Sequence, residues 1–299
     1  MSVYAIIAAE KAATGTVAKA CSLLGVSRSA FYRRLKQTRS AHDLMDIELG
    51  KRISAISLES RGTYGAPRIH RQLRNEGTFC SRKRVARLMT KLGISGRLKR
   101  AFKTTTIADP KVSLKMNDLV QRAFQPYLME LNTVWVGDIT YLRTKEGWAF
   151  LATVIDLASR RVVGWAFANH MQTSLVSDAF KRALQARRPK AGLIFHTDRG
   201  SQYTSAAFSA LLAERGVIQS FSRPGECWDN AVAESFFATL KRELTDRFTW
   251  PTRIALRRAI FEFIESRYNH MRLHSALDYT SPAEHERRIV NHIHAASAA

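Results

Sequence analysis

Between Thr133 and Lys241 the chain passes repeatedly between the two-residue period of a strand and the 3.6-residue period of a helix, and that order restricts the fold more than any other feature. Val134-Trp135-Val136-Gly137-Asp138-Ile139-Thr140-Tyr141-Leu142 is β-branched and aromatic without a helical period, which predicts a strand. Lys145-Glu146-Gly147 turns the chain into a second strand, Trp148 to Asp156, and Leu157-Ala158-Ser159-Arg160 turns it into a third, Arg161 to Ala168. Three strands joined this tightly imply an antiparallel meander. Gln172 to Arg188 reads as a helix with Leu175, Ala179 and Leu184 inward, and Gly192 to Phe195 as a strand ending in His196-Thr197-Asp198. A helix from Ala206 to Arg215 and a short strand from Val217 to Phe221 follow. The series closes on a helix from Cys227 to Lys241, capped by Asp229 or Asn230, with Val232, Phe236 and Leu240 as its apolar stripe. The order βββαβαβα predicts an α/β domain, a mixed sheet covered by helices.

Three acids in this stretch are unusually placed. Asp138 sits in mid-strand, on the same face as Val134 and Val136, where an unpaired carboxylate is costly. A structural salt bridge would account for one such group. Asp198 ends a second strand, and Glu234 shares a helix face with Asn230, Ala238 and Lys241, opposite the apolar stripe. An ordinary amphipathic helix with a solvated glutamate has the same pattern. Three carboxylates brought together, however, repel unless a cation compensates them. Mg²⁺ suits an all-oxygen donor set, and two such ions about 4 Å apart can activate an attacking oxygen and stabilise a leaving one in phosphoryl transfer.

Charge points to the substrate. The 299 residues carry a formal +22, and residues 1–115 hold +17 of it, from 24 Lys and Arg against 7 Asp and Glu. Such a surplus favours nucleic acid or an anionic surface. The longest apolar run, Trp148 to Ile155, is too short to span a bilayer, and the first residues lack the basic region of a signal peptide, so a cytoplasmic protein, nucleoid-associated when bound to DNA, is expected. Cys21, Cys80 and Cys227 lie far apart without a CxxC or a nearby His pair, which excludes a disulfide framework and a zinc site.

The basic first third reads as two DNA-binding modules. Val17 to Leu24 and Arg28 to Lys36 are helices around a Gly25-Val26-Ser27 turn, a helix-turn-helix pattern whose second helix presents Arg28, Arg33, Arg34 and Lys36. A plain αα-hairpin with a solvated basic face fits the same residues. A linker is expected from Gln37 to Asp43, then a helix from Leu44 to Leu58. A second unit follows, with Pro67 in a first turn, Asn75-Glu76-Gly77 as a break, and Ser81 capping a helix that turns Val85, Leu88, Met89 and Leu92 inward. Arg82, Lys83, Arg84, Arg87 and Lys91 line its outer side and mark it as the recognition helix. Arg97 to Pro110 reads as a basic linker.

Trp-Val-Gly-Asp138-Ile-Thr-Tyr, His-Thr-Asp198-Arg-Gly-Ser-Gln-Tyr and Asp-Asn-Ala-Val-Ala-Glu234-Ser-Phe-Phe resemble the acidic triad of the retroviral-integrase superfamily, most closely the second-frame transposases of the IS-three family of insertion sequences. The 35 residues between Asp198 and Glu234, and Lys241 seven positions after the glutamate, match that family's motif. The likeness runs from Tyr64-Gly65-Ala66-Pro67-Arg68-Ile69 to Tyr268-Asn269-His270-Met271-Arg272-Leu273-His274 and Ser281-Pro282. It implies a ribonuclease H-like core in which Asp138, Asp198 and Glu234 bind two Mg²⁺ or Mn²⁺ ions and catalyse DNA cleavage at transposon ends and strand transfer into target DNA. It also implies a homo-oligomer on double-stranded DNA and a separate first-frame helix-turn-helix partner. The resulting division is 1–40 and 41–96 for the helix-turn-helix modules, 97–125 for the linker, 126–250 for the core and 251–299 for a helical extension, in which Ile254 to Tyr268 buries Leu256, Ile260 and Phe263.

Asn230, Lys241, Arg223 and His196 are expected near DNA, His196 alternatively as a strand-end group satisfied by its neighbours. Tyr203 and Trp228 could stack on a base or simply pack, and Asp156 reads as a turn former. Two rivals to a transposase are a DNA-binding regulator with an inactive core and a nuclease of the same fold that never joins strands.

Overall fold

A computed structural model describes residues 2–35, 40–97, 118–120, 126, 129–223 and 230–297. The chain divides into two compact units, Met1–Gly96 and Arg97–Ala299.

The first unit is helical. Helix α1 (Val3–Thr14) starts on the Ser2 side chain and stops at Gly15, whose φ of 69° needs a residue without a Cβ. With α2 (Ala18–Leu23) and α3 (Arg28–Leu35) it buries Ile7, Val17, Cys21 and Phe31 in a small core. The sequence reading began at Thr16 and missed α1, whose alanine-rich face lacks a strong apolar stripe. Helix α4 (Ala41–Glu59) opens with a capping box between Ser40 and Asp43, so the stretch expected to be linker to Asp43 is already helical from Ala41. Helices α5 (Ala66–Asn75) and α6 (Arg82–Lys91) follow, the second capped by Ser81, with Ile69, Leu73, Val85, Leu88 and Met89 buried. Apart from Arg97, the expected basic linker Arg97–Pro110 lies outside the described residues.

The second unit is built on a five-stranded mixed sheet of order β3-β2-β1-β4-β5. Strands β1 (Val134–Thr144), β2 (Gly147–Asp156) and β3 (Val162–Ala168) form the antiparallel meander, while β4 (Ile194–Thr197) runs parallel to β1 and β5 (Ile218–Phe221) parallel to β4. The turn from β2 to β3 is organised by Asp156, whose carboxylate accepts hydrogen bonds from the Ser159 N–H at 2.8 Å, the Ser159 hydroxyl at 3.0 Å and the Asn132 N–H at 2.7 Å.

Alternation along β1 separates two apolar layers. Trp135 points to the side covered by α7 (Thr173–Arg187) and α8 (Ala206–Ala213), with Phe180, Phe195 and Phe208. Val134, Val136 and Leu142 point to the other side, against Phe236 and Leu240 of α9 (Ala231–Glu243) and Leu256 and Ile260 of α10 (Arg253–Phe261). Two glycines permit this closeness. A Cβ on Gly137 would stand 2.4 Å from the Phe195 ring, and one on Gly164 of β3 would stand 2.4 Å from the Ala179 carbonyl oxygen of α7.

Helix α10 passes into a π-helical stretch, Glu262–Tyr268, that buries Phe263, Ile264 and Tyr268 in the same layer. Helix α11 (Pro282–Ser297), inside the expected helical extension, is tied back by the Ala283 N–H donating to the Asn269 carbonyl at 2.9 Å. Residues after 250 thus supply part of the core itself. Among the described residues no helix is long and apolar enough to cross a membrane.

Candidate active site

Asp138 lies on the central strand, opposite Thr153 of β2, and its Oδ1 accepts the Ile139 N–H at 2.7 Å. On the other edge of β1 the parallel register pairs Trp135 with Phe195 and Val136 with His196. The pairing ends there, and Asp198 follows two residues later in the loop that leaves β4. The Asp198 Oδ1 accepts the Gly200 N–H at 3.0 Å, which fixes the loop leaving β4.

The electrostatics report how these acids are grouped. Burial first, and then the charges of Asp198 and Glu234, push the Asp138 carboxyl up to about 8, against the opposing pull of the Ile139 N–H and Lys241. Burial raises Asp198 and Glu234 as well. Tyr203, fully buried, is raised well above its usual range by burial and then by Asp138 and Asp198, so it packs beside the acids as a neutral phenol. Among the described residues no three His, Cys, Asp or Glu side chains form a set placed to hold a metal ion as they stand.

Helix α9 buries Ala233, Phe236, Phe237 and Leu240, a stripe turned slightly from the one expected, with Val232 at its margin. Glu234 is half-buried beside it. Asn230, expected to face DNA, is buried instead, because the start of α9 is pinned to the sheet: its Nδ2 donates to the Gly137 carbonyl at 3.2 Å, one residue before Asp138. Residues 224–229, including Trp228, lie outside the described residues.

His196, expected either near DNA or as a strand-end group satisfied by its neighbours, takes the second role: it is completely buried between β1 and β5, with Nδ1 2.9 Å from the Ser220 hydroxyl and Nε2 3.3 Å from that of Ser222. It holds strands together. Arg223 is exposed, its Nε 3.8 Å from an Asp118 carboxylate oxygen. Lys241 places its Nζ 5.4 Å from the centre of the Tyr141 ring, and Tyr141 meets Trp148 edge-on at 5.5 Å. The sequence reading used Tyr141 and Trp148 only as strand formers; the available signal was two large aromatics flanking a tight hairpin.

In the first unit, Arg82, Lys83, Arg87 and Lys91 are exposed along α6, but two of its cations are held from behind. Arg84 Nε donates to Asp46 at 2.7 Å and Arg87 Nη2 donates to the same carboxylate at 2.6 Å, which locks α6 to α4. On α3, Arg28 is exposed and Arg34 stacks over the Tyr4 ring at 4.9 Å, while the Arg33 side chain lies outside the described residues.

These features agree with what the chain is similar to. Integrase core domain models match residues 130–227 and 215–282, an HTH-like domain model matches residues 46–102, and a model of the bacterial regulatory proteins of the Fis family matches residues 4–37. The chain is therefore a helix-turn-helix protein with an integrase core. It is 42% identical over 239 residues to the transposase for insertion sequence element IS904 of Lactococcus lactis, covering 80% of this chain and 93% of that one. It is 37% identical over 270 residues to transposase InsF for insertion sequence IS3A of Escherichia coli K12, covering 90% and 93%. Among solved structures it resembles the catalytic core domain of HTLV-2 integrase in complex with magnesium, at 18% identity and a TM-score of 0.40 over 51% of this chain and 95% of that one. The chain belongs to the transposases of IS3-type insertion sequences, and its function is DNA transposition.

Proposed function

We propose that Asp138, Asp198 and Glu234 are the catalytic acids of this transposase and that together they bind two divalent ions, Mg²⁺ or Mn²⁺. What supports this reading most is the grouping of the acids: Asp138 is pushed up to about 8 by burial first and then by the charges of Asp198 and Glu234, a cost that a bound cation would offset. The donors are all oxygen, which fits hard divalent ions. Such ions supply charge neutralisation and an activated oxygen nucleophile. The chain's own part is positional. The parallel β1–β4 pairing puts the strand that leads into Asp198 beside the one that carries Asp138, and the Asn230 contact to Gly137 holds the start of the helix that carries Glu234. Water then cleaves at a transposon end, and the released 3′-hydroxyl attacks target DNA.

Exposed Arg28, Arg34, Arg82, Lys83, Arg87 and Lys91 bind the DNA phosphates and grooves, with Lys241 on the strand at the acids. Handling two ends calls for a homo-oligomer on DNA, and a first-frame helix-turn-helix protein is a further partner. Such a protein works in the cytoplasm, on the nucleoid.

On a labelled end substrate with Mg²⁺, Asp138→Asn should abolish cleavage and strand transfer while end binding in a mobility-shift assay persists. Joining by that variant at the wild-type rate would refute the assignment.

A further inference from the structure

Tyr141 and Trp148 are 61% and 50% exposed, a large apolar area to leave in water beside the turn of a hairpin. Their rings meet edge-on at an interplanar angle of 86°, so each keeps a face free of the other. Lys241, two turns of α9 after Glu234 and so on the same helix face, reaches over the Tyr141 ring, so the aromatic pair adjoins the helix that carries the third acid. Along β1, the Tyr141 Cα is three residues beyond that of Asp138, about 10 Å or three base steps of a DNA strand, and its side chain leaves the opposite face of the strand, beyond the residues of β1 that pair with β4. Arg143, exposed and paired in register with Trp148, adds a second cation on the same hairpin.

An aromatic face flanked by cations is the chemistry that receives an unstacked base while its phosphates are neutralised. A base still paired inside a duplex cannot present its face in this way; it must first leave the stack. We propose that Tyr141 and Trp148 form a stacking platform for an unpaired base near the scissile phosphate, with Lys241 and Arg143 on the adjoining phosphates. The inference rests on the proposed acid site. The platform makes opening of the last base pairs part of substrate recognition, and it assigns Tyr141 and Trp148 to substrate contact in addition to strand formation.

The test uses the full chain with Mg²⁺ and two duplexes carrying the element's own end, one fully paired and one with the three base pairs beside the cut mismatched. Tyr141→Ala and Trp148→Ala should each slow cleavage of the paired end about tenfold or more, and Trp148→Phe much less. Pre-opening should bring both alanine variants to within about threefold of wild type on the mismatched end, because the opening cost has been removed. Equal losses on both duplexes, or no loss on either, would overturn the platform. If the wild-type chain cuts neither duplex, the acid-site reading is what fails. A second measurement is independent of cleavage. 2-Aminopurine at an unpaired position beside the cut should be quenched on binding by Asp138→Asn without metal, and less so when Trp148→Ala is added. Equal quenching by the two would also overturn the proposal.

Discussion

Arg272 grips Glu243 in a buried fork, with Nε 3.1 and 3.0 Å from the two carboxylate oxygens and Nη2 2.8 Å from Oε1. Glu243 is the last residue of α9, and Arg272 follows the π-helical stretch that packs on the same layer. The pair therefore anchors the far end of the helix that carries Glu234, as Asn230 anchors its start.

Removing one partner leaves a buried charge without its counterpart. Arg272→Ala should destabilise the chain by about 3–5 kcal/mol in denaturant unfolding, and Glu243→Ala similarly. Arg272→Lys should recover only part of this, since an ammonium cannot make the two-pronged contact. The double substitution Arg272→Met, Glu243→Leu should cost less than the sum of the single losses. Strict additivity would mean the fork contributes nothing.

Gly137 should not tolerate a side chain. The Phe195 ring that its Cβ would meet is itself wedged among Phe180, Tyr203 and Phe208, with centroids 4.9 to 6.2 Å apart, and cannot swing aside. Gly137→Ala should cost about 1–3 kcal/mol, and Phe195→Leu in the same chain should relieve part of it. Wild-type stability in the single variant would show that the ring has room.

Burial of Asp138, with Asp198 and Glu234 near it, has a pH signature. A carboxyl whose folded pKa is raised to about 8 favours folding in its protonated form; that contribution is complete below its unfolded pKa near 4 and is lost as pH rises through about 8. Relative to Asp138→Asn, the metal-free wild type should lose stability between about pH 4 and 8. Thermal unfolding of both across that range checks it, and a constant difference between them would contradict the raised pKa.

Asp46 is held down at about 2 by Arg87 and Arg84 and so is ionised at any working pH. Asp46→Asn should release the Arg84 guanidinium to join Arg87 on DNA phosphates, steepening the dependence of log affinity on log salt by up to about 1. Binding measured between 50 and 200 mM salt reads the slope directly. An unchanged slope would mean that Arg84 does not reach DNA.

The sheet was largely legible because a two-residue period interrupted by short polar turns admits little but a meander, and Asp138 stood out as the one acid in an otherwise apolar strand. What the sequence could not show was which polar residues face inward. Asn230 and His196 carry the same side chains in a DNA contact as in a buried hydrogen bond, and only the neighbours, the Gly137 carbonyl and the hydroxyls of Ser220 and Ser222, distinguish the two. The commitment of Arg84 and Arg87 to Asp46 was hidden for the same reason, since the partners lie 38 and 41 residues apart in sequence. Helix α1 escaped because alanine gives helix propensity without a stripe.

The core layer under Glu234 is completed by Leu256, Ile260, Phe263 and Tyr268, all of which leave the ribosome after the three acids do. A chain that stops short of Leu256 therefore lacks four of the side chains that back the helix carrying Glu234.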